Sequence, residues 1–145
     1  MATTTTTKFQ LRPYIFFYGR CEEAIEFYKK ALGGTCEFQR MGDSSMAADM
    51  PAEAKNKIMH GSFTAPGISF FVSDGRDSKP IDPEAGNISL SLNASYAAEG
   101  ERIFKALSEG GTVTMPYEDA PWGEGKFGVL HDRFGNEWMI TNMTE

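Results

Sequence analysis

The chain is poor in the groups that mark several protein classes. It has two cysteines, Cys21 and Cys36, in 145 residues. They show neither metal-cluster nor redox spacing. Free thiols fit a reducing cytosol, so a cytoplasmic protein is expected. Lys and Arg number 14 against 20 Asp and Glu, a net charge of −6 with no basic run. A nucleic-acid partner, which needs a basic footprint, is not expected. No apolar stretch approaches the roughly 20 residues of a membrane span, so no membrane partner is expected either. The threonine run Thr3–Thr7 lacks the apolar centre of a secretion signal, and residues 1–8 read as a disordered tail. No G-x-G-x-x-G turn stands between a strand and a helix, so the pattern implies no nucleotide-like cofactor.

What the chain has is a repeat. Ile25-Glu26-Phe27 leads to Gly33-Gly34-Thr35, and half a chain later Ile103-Phe104 leads at the same distance to Gly110-Gly111-Thr112. Each copy reads as strand, helix and three further strands. In the first, aromatic residues 12–18 precede a helix at 22–32 with acids at its start, lysines at its end and Gly33 as its stop. Strands follow at 35–41, 58–64 and 68–74, with a polar loop or short helix at 42–57. Residues 76–86 have linker composition. In the second copy Ile88, Leu90 and Leu92 alternate with Asn87, Ser89 and Ser91, the period of a half-buried strand. A helix at 96–109, a strand at 112–116 and a hairpin of 126–132 with 137–143 complete it. The expected fold class is α+β: two βαβββ modules, about 9–75 and 87–143, within one domain over 9–145. Their mixed sheets curl to form a cleft, with helices packed on the outside.

Several runs carry a family resemblance in their order and spacing. They are Pro13-Tyr14-Ile15-Phe16, Ala24-Ile25-Glu26-Phe27-Tyr28, Met59-His60, Val72-Ser73-Asp74-Gly75, Trp122-Gly123 and Asp132-Arg133-Phe134-Gly135-Asn136-Glu137-Trp138-Met139-Ile140. Over about residues 9–143 the sequence resembles the vicinal oxygen chelate superfamily of glyoxalases, bleomycin resistance proteins and dioxygenases, and within it the PhnB-like branch. The resemblance implies a cleft, a homodimer and, in metal-dependent members, one His, Gln or Glu ligand on each of four strands. Those positions fall here at Pro13, Phe71, Asn87 and Met139. Pro and Phe offer no side-chain donor, Asn is a poor one and a thioether prefers soft metals, so a divalent metal is not supported and no cofactor is expected. A different metal site, built on His60 with Glu or Asp, is left open.

Strand alternation from those positions gives a cleft lining of Ile15, Phe17, His60, Ser62, Ser69, Phe71, Ser73, Asn87, Ser89, Ser91, Met139 and Thr141; Trp122 either closes over it or serves as a core plug or dimer contact. His60 is the candidate catalytic group, as a base near neutrality; a histidine satisfied by Ser73 or a backbone carbonyl is the simpler reading. His131 falls on the opposite face by the same count. Cys21, at a helix start, could be activated but reads more simply as buried. Arg12 and Arg20 could meet a substrate carboxylate or sit solvated on the surface. Two functions compete: a protein that binds a small molecule without metal, and a metal-independent or atypical-metal isomerase or lyase with His60 as base. Whether the cleft lies within one chain or between two is left open.

Overall fold

The structure, a computed structural model, describes residues 11–44, 47–75 and 88–142. The expected tail 1–8, the linker 76–86 and Asn87 lie outside the described residues. The first half contains β1 (Tyr14–Phe16), α1 (Cys21–Leu32), β2 (Thr35–Arg40), the short α2 (Ala52–Lys55), β3 (Ile58–Ala65) and β4 (Ile68–Ser73). The second contains β5 (Leu90–Asn93), α3 (Ala97–Ser108), β6 (Thr112–Asp119), β7 (Lys126–His131) and β8 (Glu137–Asn142). They form two four-stranded mixed sheets, sheet A in the order β1-β4-β3-β2 and sheet B in the equivalent order β5-β8-β7-β6. This is the expected α+β fold of two βαβββ modules, with one correction: each sheet is open rather than curled.

The repeated Gly-Gly-Thr has a physical cause. A Cβ at Gly34 would run into the Thr64 carbonyl oxygen, and one at Gly111 into that of His131. Thr64 and His131 are the residues paired with Thr35 and Thr112. In each module, then, the strand leaving the helix starts against a neighbouring carbonyl, where only glycine fits.

Buried carboxylates hold the ends of these elements. Asp74 Oδ1 accepts the Gly19 and Cys21 N–H groups, both at 2.8 Å, and Oδ2 accepts that of Ile58 at 2.8 Å. It therefore satisfies the entry to α1 and ties it to β3. Asp132, 3% exposed, joins the modules. Its Oδ1 accepts N–H from Phe134 (2.9 Å) and Asn136 (3.0 Å), and its Oδ2 accepts Trp138 Nε1–H at 2.9 Å and the Tyr28 hydroxyl of α1. Burial first, and the Asp132 charge second, push the Tyr28 hydroxyl well above the usual tyrosine range, so it remains a donor.

Both sheets turn their apolar faces to one core. Tyr28 packs on Phe63 and Phe70 of sheet A and on Trp138 of sheet B, with centroids 5.7–6.4 Å apart. Ile103, Phe104 and Leu107 of α3 join the same cluster, and α1 packs against α3. The other face of each sheet points away from these helices. At the edge of sheet B, β6 runs to Asp119, beyond the expected 116, with two register shifts and Pro116 within it.

Candidate functional site

Pairing decides which side chains share the open face of sheet A. Tyr14 and Ser62 both pair with Phe71, Phe16 with Ser73, and Ser69 with Thr64. His60 follows Ser62 by alternation along β3. Ile15 does not belong here: it pairs with buried Val72 and packs against the core. Phe17 does not either; it is 0% exposed, against Tyr28 and Phe134. Counting from Pro13 placed the odd residues of β1 on the cleft side. The pairing with β4 places the even ones there, so Tyr14 and Phe16 are the residues that sequence reasoning missed. No signal within β1 marks them, because Tyr14-Ile15-Phe16-Phe17 is aromatic or apolar at every position and only the pairing with Val72 sets its parity.

The result is an exposed aromatic wall around a histidine. Tyr14 stacks on Phe16 at 5.0 Å and lies 5.6 Å from Phe71, while His60 lies 5.1 Å from Phe71 and 5.5 Å from Tyr14. Tyr14 and Phe16 are 43% and 44% exposed. Tyr14 Oη lies 2.8 Å from His60 Nδ1. Desolvation, the larger influence, pushes the Tyr14 hydroxyl above its usual range, so the phenol keeps its proton. If that hydroxyl donates to Nδ1, Nε2 carries the ring proton; if Nδ1–H donates to the Tyr14 oxygen, Nε2 is the open acceptor. The expected partner of His60, Ser73, is engaged elsewhere: its buried hydroxyl donates to the Met59 carbonyl at 2.8 Å and accepts the Gly75 N–H at 2.9 Å.

On the open face of sheet B, Met139 pairs with Ser91 and Val129, and Thr141 with Asn93 and Phe127. Thr141 is buried and donates to Asn93 Oδ1 at 2.8 Å. Phe127, Val129 and Ala120 form a small second cluster with Met139 against it. Trp122, 55% exposed, meets Phe127 edge-on at 4.9 Å. Ser89 precedes β5, and its buried hydroxyl has no partner among the described residues. His131 is corrected: it pairs with Glu137 and so shares the face of Met139, its Nε2 3.5 Å from Glu137 Oε2. The parity argument failed because it did not carry the β7–β8 register through the turn. The contacts of each open face run to its own module, so His60, Ser62, Ser69 and Phe71 gather on one sheet and Ser91, Trp122, Met139 and Thr141 on the other.

The positions the resemblance assigns to metal ligands do not suit a divalent ion. Phe71 presents a ring that packs on Tyr14 and His60, Pro13 offers a carbonyl already accepting the Phe71 N–H at 2.8 Å, and Met139 offers a thioether. Among the described residues no group of three His, Cys, Asp or Glu converges.

Cys21 is not an activated thiol. It is 0% exposed, and burial, followed by the charge of Asp74, pushes its thiol well above the usual range. In the native protein a thiol-specific disulfide reagent should leave Cys21 unmodified, and both cysteines should react after denaturation. Fast modification of Cys21 in the folded protein would contradict its burial. Arg20 is occupied by Glu23 at 2.8 Å and by the Arg133 carbonyl at 3.3 Å, so it is not a free anchor for a substrate.

Comparison with known proteins agrees with this architecture. Protein YjdN of Escherichia coli K12 is 29% identical over 139 residues, 90% of this chain and 92% of that protein. The crystal structure of protein PA1353 from Pseudomonas aeruginosa is 38% identical with a TM-score of 0.80, covering 95% of this chain and all of that one. The PhnB protein of Bacillus cereus, 23% identical over 92% of this chain and 99% of its own, shares the fold at a TM-score of 0.71. The family model described as 3-demethylubiquinone-9 3-methyltransferase matches residues 9–141, and the chain belongs to that family.

Proposed function

We propose that this protein binds a small planar molecule against the aromatic wall of sheet A, without the superfamily's metal, and that the open face of sheet B of a second copy covers it. The observation that carries the reading is the Tyr14–His60 hydrogen bond within exposed, mutually packed rings. Rings on a surface cost solvation unless something covers them. A wall with few polar groups suits a ligand that stacks and makes one or two directed hydrogen bonds. Apolar side chains on both open faces support a homodimer that buries them together.

The methyl transfer named in the family's description finds no cradle in this fold. Gly123, Gly125 and Gly128 have G-x-G-x-x-G spacing, but the first two stand in the turn between β6 and β7 and Gly128 lies within β7, so the run leads from strand to strand. No helix N-terminus follows to meet a nucleotide-like group.

A second reading is an isomerase or lyase in which His60 moves a proton. With Tyr14 donating to Nδ1, Nε2–H would act first as the acid; the base role needs the opposite tautomer, with Nδ1–H donating to the Tyr14 oxygen. A thermal-shift screen of planar small molecules, with sedimentation of the 16.0 kDa chain, tests the proposal. Stabilisation by aromatic compounds and a dimeric mass are expected. A monomer that no planar compound stabilises would overturn it. Turnover of any hit that falls about 100-fold or more in His60→Ala would favour the second reading.

A further inference from the structure

We propose that the molecule held on sheet A is an aromatic oxyanion, a planar ring bearing a carboxylate or phosphoryl group, and that Arg12 holds its charge. This rests on the reading of that face as the binding site.

The first observation is an arginine without a carboxylate. Arg20 pairs with Glu23 at 2.8 Å, Arg40 with Glu22 at 3.0 Å, Arg102 with Glu99 at 2.5 Å and Arg133 with Glu23 at 3.9 Å. Arg12 stands apart among the described arginines: no Asp or Glu among the described residues lies within ion-pair distance of it. Its guanidinium lies over the Phe71 ring, 5.3 Å from the centroid. In a chain of net charge −6, a guanidinium on an aromatic face with no ion partner among the described residues is a local exception.

The second observation is the chemistry beside it. The His60 ring lies 5.1 Å from the same Phe71 ring. In the tautomer whose Nδ1 accepts from Tyr14, the remaining nitrogen, Nε2, offers a hydrogen and no lone pair. Two groups flanking one ring are then both donors. Paired donors at one end of the wall select an acceptor, and a charged acceptor gains most, because guanidinium–oxyanion hydrogen bonds are roughly twice as strong as neutral ones. The wall of Tyr14 and Phe16 continues from Phe71 and takes the ligand's ring.

Glu37 sets the ligand's direction on this face. Glu37, paired with Ser62, lies on β2, the sheet edge opposite β1. Gln39, paired with His60, spends its amide N–H on the Asp43 carbonyl at 3.2 Å. The charge therefore runs from positive at the β1 side to negative at the β2 side. The oxyanion lies toward Arg12, and the Glu37 side disfavours the reverse orientation.

The test is an NMR titration of the full chain with benzoate, phenylphosphonate and neutral benzamide, repeated with Arg12→Gln and Arg12→Lys. Arg12 precedes β1 and makes no ion pair among the described residues, so both variants should melt with the unaltered protein. The oxyanions should bind on the order of 10-fold or more tightly than benzamide. Arg12→Gln should remove that preference, Arg12→Lys should keep part of it, and added salt should weaken it. Benzoate against phenylphosphonate separates a planar carboxylate from a tetrahedral phosphoryl group. Equal binding of benzamide and both oxyanions, or a preference that survives in Arg12→Gln, overturns the role of Arg12 while leaving the ring site intact. No shift of the Tyr14 and Phe71 signals with any of the three probes overturns the ring site as well.

Discussion

Replacing Asp132 with alanine should cost about 3–5 kcal/mol of folding stability and lower the melting temperature by on the order of 10–20 °C. The side chain is 3% exposed and accepts four hydrogen bonds from four different residues. Alanine leaves all four donors in place with nothing to receive them, and each unsatisfied buried donor costs about 1–3 kcal/mol. Relaxation and an admitted water would recover part of that, which sets the lower total. Asp132→Asn separates the contributions. Its oxygen can still serve the Phe134 and Asn136 N–H groups, but its amide nitrogen then faces Trp138 Nε1–H, donor against donor. A loss between those of the unaltered protein and Asp132→Ala is expected. Tyr28→Phe removes one donor and orphans the Asn136 side chain, which donates to the Tyr28 oxygen at 3.0 Å, so a loss of about 1 kcal/mol is expected. Chemical denaturation of the three variants measures the series. An Asp132→Ala protein that melts within about 3 °C of the unaltered one would show that the carboxylate is dispensable.

The second large effect concerns ligand binding. Tyr14→Ala should weaken binding of a planar ligand by about 10–100-fold while shifting stability by no more than about 0.5 kcal/mol. The Tyr14 ring is the meeting point of the wall: it touches Phe16, Phe71 and His60 and holds the imidazole through Nδ1. Its removal takes away both a stacking surface and the orientation of the one histidine on that face. Yet Tyr14 is 43% exposed and no core residue depends on it. Phe17→Ala, three residues along in the same aromatic run, should do the reverse. That ring is 0% exposed between Tyr28 and Phe134, and its loss should cost about 3–5 kcal/mol. Calorimetry of the same planar ligand against both variants, paired with melting curves, checks the contrast. A Tyr14→Ala protein that binds as tightly as the unaltered one would remove the aromatic wall from consideration.

That contrast shows where the sequence was legible. The repeat, the helix faces and most strand limits could be read from it, because apolar period, terminal charges and glycine stops act locally. The Gly-Gly-Thr repeat was visible even before its cause, the carbonyls opposite Gly34 and Gly111, was known. On sheet B the pairing puts Ser91, Met139 and Thr141 on one face, the parity read from the alternation of Ile88, Leu90 and Leu92 with their serine neighbours. Sheet A failed at β1, because Tyr14-Ile15-Phe16-Phe17 is apolar at every position and its parity is fixed only by pairing with Val72. The role of Asp74 and Asp132 was hidden for a different reason. Both lie in runs that carry the family resemblance, but a buried carboxylate collecting N–H groups looks, in sequence, like any acid in a turn. Those motifs therefore mark the scaffold more than the site.

Strand β6 has a consequence for how the protein behaves among its own copies. It is eight residues long, lies at the edge of sheet B and is exposed along nearly all of its length. A straight edge of that kind would be a template on which other chains add strand by strand into insoluble aggregates. Pro116 has no N–H to offer a newcomer, and the register shifts on either side of Met115 keep the strand from presenting an even row of donors and acceptors. These irregularities, which look like imperfections in the sheet, are what would let a concentrated solution of this protein stay clear.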